Sequence, residues 1–327
     1  MSDLRRPLGF EEALRPPIDV RRARITQPVL RPPGRAGDAA AYAQLARIIR
    51  RAPEVMVKIT GRTKDGGHLR SHLDYISRNG KLKLEGPDGE RFEERAEIKA
   101  LAAAWTLEAA LEPGGRRDRP LSRSIVLSMP RGTDVMRVHD AARAFAAEAF
   151  GDRFPYVFAL HDEGGHPHVH LTVRALGSDG SRLNPRMADL EVWRQRFAQA
   201  LRDRGVEAEA SPRRARGVLH KCERMKVRKM RQRGAGPPAP LALVVADQEN
   251  AARSRKAAPW ESSRQRRQGL ICRALAAEAV ALSRSDRPED RSLSFALMKH
   301  VRGRAKERRG DESSLRTIER QPDRGNR

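Results

Sequence analysis

HVHLTVRAL (168–176) alternates polar and apolar positions, and just before it FPYVFALH (154–161) is a short apolar run rich in aromatic and β-branched residues. Both patterns predict strands, and the linker DEGGHP with its paired glycines predicts a hairpin between them. EVMVKIT (54–60) and SRSIVLSMP (122–130) read as further strands, and KLKLEGPDGERF (81–92) as a hairpin turning at Pro87 to Gly89. Other segments follow the helical period instead. HLRSHLDYISRN (68–79) places Leu69, Leu73 and Ile76 on one stripe behind Gly66-Gly67, and EERAEIKALAAAWTLEAAL (93–111), VMRVHDAARAFAAEAF (135–150) and DLEVWRQRFAQALRDRG (189–205) read as helices. Strands alternate with helices, yet two strands are joined directly. The pattern predicts an α+β fold, an antiparallel-centred sheet with helices on one face.

The periodic part has flanks of different composition. Residues 1–40 are rich in Pro, Arg and Gly without lasting periodicity and read as a disordered basic arm. Residues 41–217 form the expected catalytic-size domain. Residues 218–327 are expected to be a basic region, partly helical, notably in GLICRALAAEAVALSR, with a disordered end from RGDESSLRTIERQPDRGNR. Across the second boundary, residues 212–233 carry ten Lys or Arg against a single Glu.

Charge changes the picture from fold to partner. The 327 residues carry a net charge of +24, which implies a polyanion, with nucleic acid ahead of a membrane surface. No apolar run nears the roughly 18 residues of a membrane span, and the start MSDLRRPLGFEEALRPP lacks a signal-peptide core, so no membrane insertion and a cytoplasmic location are expected. Cys222 and Cys272 lack metal-site spacing, so a bound metal must rely on histidine and carboxylate.

Four of the nine histidines fall in HDEGGHPHVH (161–170). Along a strand alternate side chains share a face, so His168 and His170 present two imidazoles side by side while Val169 turns inward. A hairpin would return His161 beside them, and His166 would fall in the turn. Three protein ligands leave positions open for substrate, as catalytic metal sites do, and imidazole suits zinc, manganese, nickel or iron. The plainer alternative is a solvated or hydrogen-bonded histidine run. Tyr75, between Leu73 and Ile76 on its helix, reads from residues alone as a core side chain, and Ser128 as an ordinary strand-end serine.

GGHLRSHLDYISRNGKLKLEG (66–86), SIVLSMPRGTD (124–134) and YVFALHDEGGHPHVHLTVR (156–174) resemble, in order and spacing, the three motifs of the relaxase or mobilisation nuclease family. The similarity is nearest to its single-tyrosine branch, which includes the T-DNA border endonuclease and P-type plasmid relaxases. It runs over about residues 54–217, through LAAAWTLEAA and PRGTD to the RRARG pattern. The resemblance implies that Tyr75 is the nucleophile, that Ser128 contacts DNA beside the cleaved phosphate, and that His161, His168 and His170 bind the metal. His166 matches an extra histidine of the T-DNA branch, on the substrate side. The family usually carries Asp two and often four residues after the first histidine. This chain has Glu163 and Gly165 there, with Asp162 one place early. The assisting acid is therefore expected at Glu163, with Asp162 as the alternative.

The implied activity is strand-specific DNA nicking and strand transfer at an origin of transfer. Its cofactor is expected to be a divalent ion, Mg²⁺ or Mn²⁺, and its intermediate a 5′-phosphotyrosine. Implied partners are DNA, single-stranded at the nick, relaxosome accessory proteins and a type IV secretion coupling protein. The alternatives are a rolling-circle replication initiator or transposase with the same chemistry, and a non-catalytic basic DNA-binding protein. The basic segment Arg213–Arg233 is expected to add backbone contacts that raise affinity without choosing the site.

Overall fold

The computed structural model describes residues 35–111, 119–211 and 259–318, with side chains over 42–111, 119–211 and most of 269–303. The expected arm up to residue 34 and the basic segment 212–233 lie outside the described residues. The chain divides into two compact units, with the boundary at Ala210/Ser211.

The first unit runs α1 (Arg35–Ile49), β1 (Met56–Thr63), α2 (Gly66–Ile76), β2 (Leu84–Glu85), β3 (Arg91–Phe92), α3 (Arg95–Ala110), β4 (Ser122–Ser128), α4 (Val135–Phe150), β5 (Tyr156–Glu163), β6 (His166–Arg174) and α5 (Met187–Arg202). The strands form one antiparallel sheet in the order β1-β4-β6-β5-β2-β3, so the histidine-bearing β6 is internal. Among the described residues, α1 begins at Arg35, before the expected end of the arm. α1 is held at its C-terminal end by the buried Glu209 carboxylate, which accepts from Gln44 Nε2 at 3.0 Å and Arg47 Nε at 2.6 Å.

Helices cover both faces of the sheet, where the apolar pattern predicts one. Phe145 and Phe150 of α4 and Trp193 and Phe197 of α5 pack against Leu127, Phe158, Val169 and Leu171. On the opposite face Leu69, Leu73 and Ile76 of α2 and Ile98 and Trp105 of α3 close over Val157 and Ala159. The second cluster is smaller and covers the β5 end, which leaves the polar half of β4 and β6 beside it as the floor of a site. Because β5 is apolar on both sides, its sequence could not tell whether one layer or two would cover it.

α2 and α4 each start on a side-chain cap. Asp65 accepts from the His68 amide at 2.8 Å to open α2, and Asp134 accepts from the Arg137 amide at 2.9 Å to open α4. The β5–β6 hairpin is tighter than the expected six-residue connection. Strand pairing continues to Glu163↔His166, and the turn is Gly164-Gly165 alone, at φ +66° and +72°. Two consecutive positive φ values match the twist of a two-residue hairpin and favour glycine. His166 therefore lies in β6, not in the turn.

In the second unit, α6 (Pro259–Ser283) packs on α7 (Pro288–Ile318). Ile271, Leu275, Ala279 and Leu282 form a buried stripe with Leu297, and Ser294 Oγ donates to the Ala279 carbonyl at 2.7 Å. α7 extends through residues 309–318, which the sequence reads as disordered. Pro288 in the first helical position, with Glu289 and Asp290 in the first turn, favours its start.

Candidate active site

The register of the hairpin builds the histidine cluster. His161 faces His168 directly across β5–β6, and His170 follows two residues on, opposite Ala159. One ligand nitrogen from each of the three lies within 4.8 Å of the others. Their ring centroids are 4.6 to 5.3 Å apart.

Two of the rings have a fixed orientation. His161 Nε2 donates to the Ile76 carbonyl at 2.7 Å, and His168 Nδ1 donates to the His166 carbonyl at 2.9 Å. Each bond commits one nitrogen as N–H and leaves the other with a free lone pair, the arrangement that orients metal-ligating imidazoles. Burial, with repulsion from the neighbouring histidines, lowers the His170 pKa to about 3. Burial and the charges of His168 and Arg78 outweigh the Ile76 hydrogen bond and lower that of His161 as well. At neutral pH both are uncharged bases, as ligation requires. The residues present thus fit a three-nitrogen metal site.

Tyr75 is not a core residue. Leu69, Leu73 and Ile76 anchor α2 with no exposure, while the Tyr75 side chain, on the same helix, is 61% exposed. Its ring stands edge-on to His170, with centroids 5.8 Å apart and planes at 88°. The remaining tyrosines read differently. Tyr156 is buried and stacked on Phe158, and burial pushes its pKa up to about 12. Tyr42 lies on α1.

Ser128, half-buried at the end of β4, is the register partner of His168 and so shares its face. The exposed His166 lies on that face too, two residues before His168. The two acidic candidates separate. Glu163 is two residues from His161 and shares its side of β5, whereas Asp162, opposite Pro167, turns to the other side. Among the described residues, Glu163 makes no hydrogen bond or ion pair with an imidazole. It forms an ion pair with Arg78, while main-chain carbonyls orient His161 and His168.

Three contributors carried no assignment in the sequence, although all lie in the quoted motifs. Arg78, three residues after Tyr75, has a left-handed backbone at φ +56°, followed by Asn79 at +58° and Gly80 at +85°. Its guanidinium puts a positive charge near His161 and His170. Arg131, from the PRGT turn, donates through Nε to the Gly164 carbonyl at 2.7 Å and pins the hairpin tip. His72 sits one helical turn before Tyr75. An arginine at a turn signals a contact but not its partner.

Residues 80–206 match the family described as the MobA/VirD2-like relaxase nuclease domain. The chain is similar to the T-DNA border endonuclease VirD2 of Rhizobium radiobacter, 30% identical over 195 residues that cover 51% of this chain and 44% of the relative. It is similar to that of Agrobacterium fabrum, 29% identical with 42% of the relative covered. It is also similar to a 43 kDa relaxation protein of Salmonella typhimurium, 28% identical over 132 residues, covering 38% of this chain and 36% of the relative. The chain thus spans less than half the length of these relatives.

Proposed function

We propose that the chain carries a relaxase nuclease domain of the MobA/VirD2-like kind, the family that residues 80–206 match, and that it nicks one DNA strand at an origin of transfer and holds the cut end covalently. The observation that carries the reading is the meeting of an exposed Tyr75 with three convergent imidazoles on one polar patch of an otherwise packed sheet.

Tyr75 Oη attacks the scissile phosphorus. The bond from phosphorus to the 3′ oxygen breaks, that oxygen takes a proton, and the 5′ end remains as a phosphotyrosine. One ester replaces another, so the step is reversible and needs no nucleotide cofactor. His161, His168 and His170 would hold a divalent ion, which when bound offsets the charge of the phosphate and polarises phosphorus. Three nitrogens without a carboxylate suit Mn²⁺ better than Mg²⁺. Ser128 and His166, on the same face, are assigned to the substrate beside the cleaved phosphate. Arg78 supplies positive charge close to the triad, where a phosphate would release it from Glu163. The exposure of Tyr75 lets its proton leave to water.

The substrate is DNA, single-stranded at the nick. The net charge of +24 supports backbone binding around the site. Relaxosome accessory proteins and a type IV secretion coupling protein belong to this reading as partners, and a cytoplasmic setting agrees with the lack, among the described residues, of any helix long and apolar enough to cross a membrane. The test is incubation with single-stranded oligonucleotides tiling the DNA next to the gene, in Mn²⁺. A protein band shifted by attached DNA, absent in Tyr75→Phe, is expected. DNA binding without such a band would leave only a basic DNA-binding protein.

A further inference from the structure

The polar face of the sheet continues beyond the triad. Two register steps past Val126↔His170, on the same face, comes Ser124↔Thr172, both buried. Their hydroxyls meet a single atom of α2: His72 Nε2 lies 3.0 Å from Ser124 Oγ and 3.0 Å from Thr172 Oγ1. His72 is therefore a further histidine on the patch, distinct from the three convergent ligands and bonded to the two central strands at once. It stands three residues before Tyr75, so both side chains lie on neighbouring parts of one helical face.

The apolar contacts of Leu69, Leu73 and Ile76 hold α2 against its neighbours, but such contacts are non-directional and leave the roll of the helix weakly defined. A hydrogen-bonded fork from two strands is directional. We propose that His72 is a positioning residue, which fixes the roll of α2 through Ser124 and Thr172 and thereby holds the Tyr75 ring edge-on to His170. It touches no reacting atom. Burial, with the charge of nearby His68, lowers its pKa to about 4, so the ring is neutral at working pH and its Nε2 serves both hydroxyls through one shared, three-centre position. This inference rests on the reading of Tyr75 as nucleophile.

The test uses the full chain, saturating Mn²⁺ and the oligonucleotide that gives the covalent band, under single-turnover conditions. His72→Leu is expected to lower the maximal cleavage rate by about 10- to 100-fold, the cost of a misplaced reacting group. The half-saturating DNA concentration and the Mn²⁺ affinity should stay within about twofold, because phosphate and metal contacts remain. His72→Gln, whose amide can reach the same hydroxyls, should recover most of the rate. Ser124→Ala combined with Thr172→Val removes the partners while keeping the histidine. It should show the same rate loss, and adding His72→Leu to it should cost little more.

An unchanged rate in either the leucine or the double variant overturns the inference. So does a parallel loss of Mn²⁺ affinity, which would make His72 part of the metal pocket, or a glutamine variant as slow as leucine. If His72→Leu does not fold, the double variant decides. Failure of the underlying reading is separate, since it shows as a covalent band that survives Tyr75→Phe or never forms in the parent protein.

Discussion

β6 has two sides with opposite chemistry. Val169, Leu171 and Val173 are sealed against α4 and α5, while His168, His170 and Thr172, in alternation with them, face the α2 side. On the sealed side the three side chains join an apolar cluster, and the stabilisation is mainly area removed from water. On the other side the order comes from single directed contacts: Ile76 and His166 carbonyls, the Ser124 and Thr172 hydroxyls, and the Arg131 bond to Gly164. One strand thus separates rigidity from reactivity. The open side gains function from groups that would be costly in a core.

Changes on the open side should remove chemistry without unfolding the chain. Tyr75→Phe has the largest expected effect, complete loss of the covalent product with DNA binding kept within about twofold, because only the attacking oxygen goes. Denaturing gels read the first and fluorescence anisotropy the second. His161→Ala, His168→Ala and His170→Ala should each weaken Mn²⁺ binding by about 100-fold or more in calorimetry, with His166→Ala far milder. Unaltered affinity in the three would refute the convergence as a metal site. Chelation should stop cleavage, and Mn²⁺ should restore it.

Changes on the sealed side should do the reverse. Leu171→Ala deletes a buried side chain beneath the triad and should destabilise by about 2–5 kcal/mol in urea unfolding. Cleavage at low temperature should persist. If that variant instead abolishes metal binding in a folded protein, the two sides are mechanically coupled.

The pH dependence of the metal-free protein sharpens the contrast, since its open side carries half-buried neutral histidines. His72 and His170 have folded pKa values of about 4 and about 3, below the unfolded value near 6.5. Between these limits the unfolded chain binds more protons. Stability is therefore full above pH 6.5 and falls as the pH drops through 6.5 towards the folded values. Melting temperature measured from pH 7.5 to 5 should decline, and the decline should be shallower in His170→Ala. A profile unaltered by that substitution would contradict the burial of His170.

The smallest effect is expected at the acids. The Glu163–Arg78 ion pair is exposed, such pairs contribute about 0–1 kcal/mol, and carbonyls already orient the imidazoles. Glu163→Gln should slow cleavage by less than about tenfold at saturating Mn²⁺, and Asp162→Asn by less. A larger loss in Glu163→Gln would return the carboxylate to a catalytic role.

The alternation of HVHLTVR and the helical spacing in 135–150 disclosed most of this architecture, because binary patterns encode which side of an element is buried. The hairpin tip was harder to read. Pro167 supplies no N–H to a ladder and so resembles a turn residue, yet it pairs with Asp162 inside the sheet. Two layers of helices instead of one escaped notice because β5 is apolar on both sides. α7 was hidden by its polarity, since a helix rich in Arg and Glu lacks the stripe that marks burial. Within the site, the motifs identified the side chains but not the acceptors. Main-chain carbonyls such as those of Ile76 and His166 have no sequence signature, so the orientation of His161 and His168 became visible only with the register in place.

The two-glycine turn has a consequence for how the site assembles. His161, His168 and His170 come from one hairpin of ten residues, whereas the Ile76 carbonyl that orients His161 lies 85 residues earlier in the chain. Closing a hairpin takes about 1–10 μs, but docking a distant helix waits on the slower, entropically costly closure of a long loop. The imidazole cluster is a low-contact-order nucleus that can gather before α2 arrives. Tyr75, the proposed nucleophile, comes from outside that hairpin, so the imidazole cluster without α2 has no means of cutting DNA.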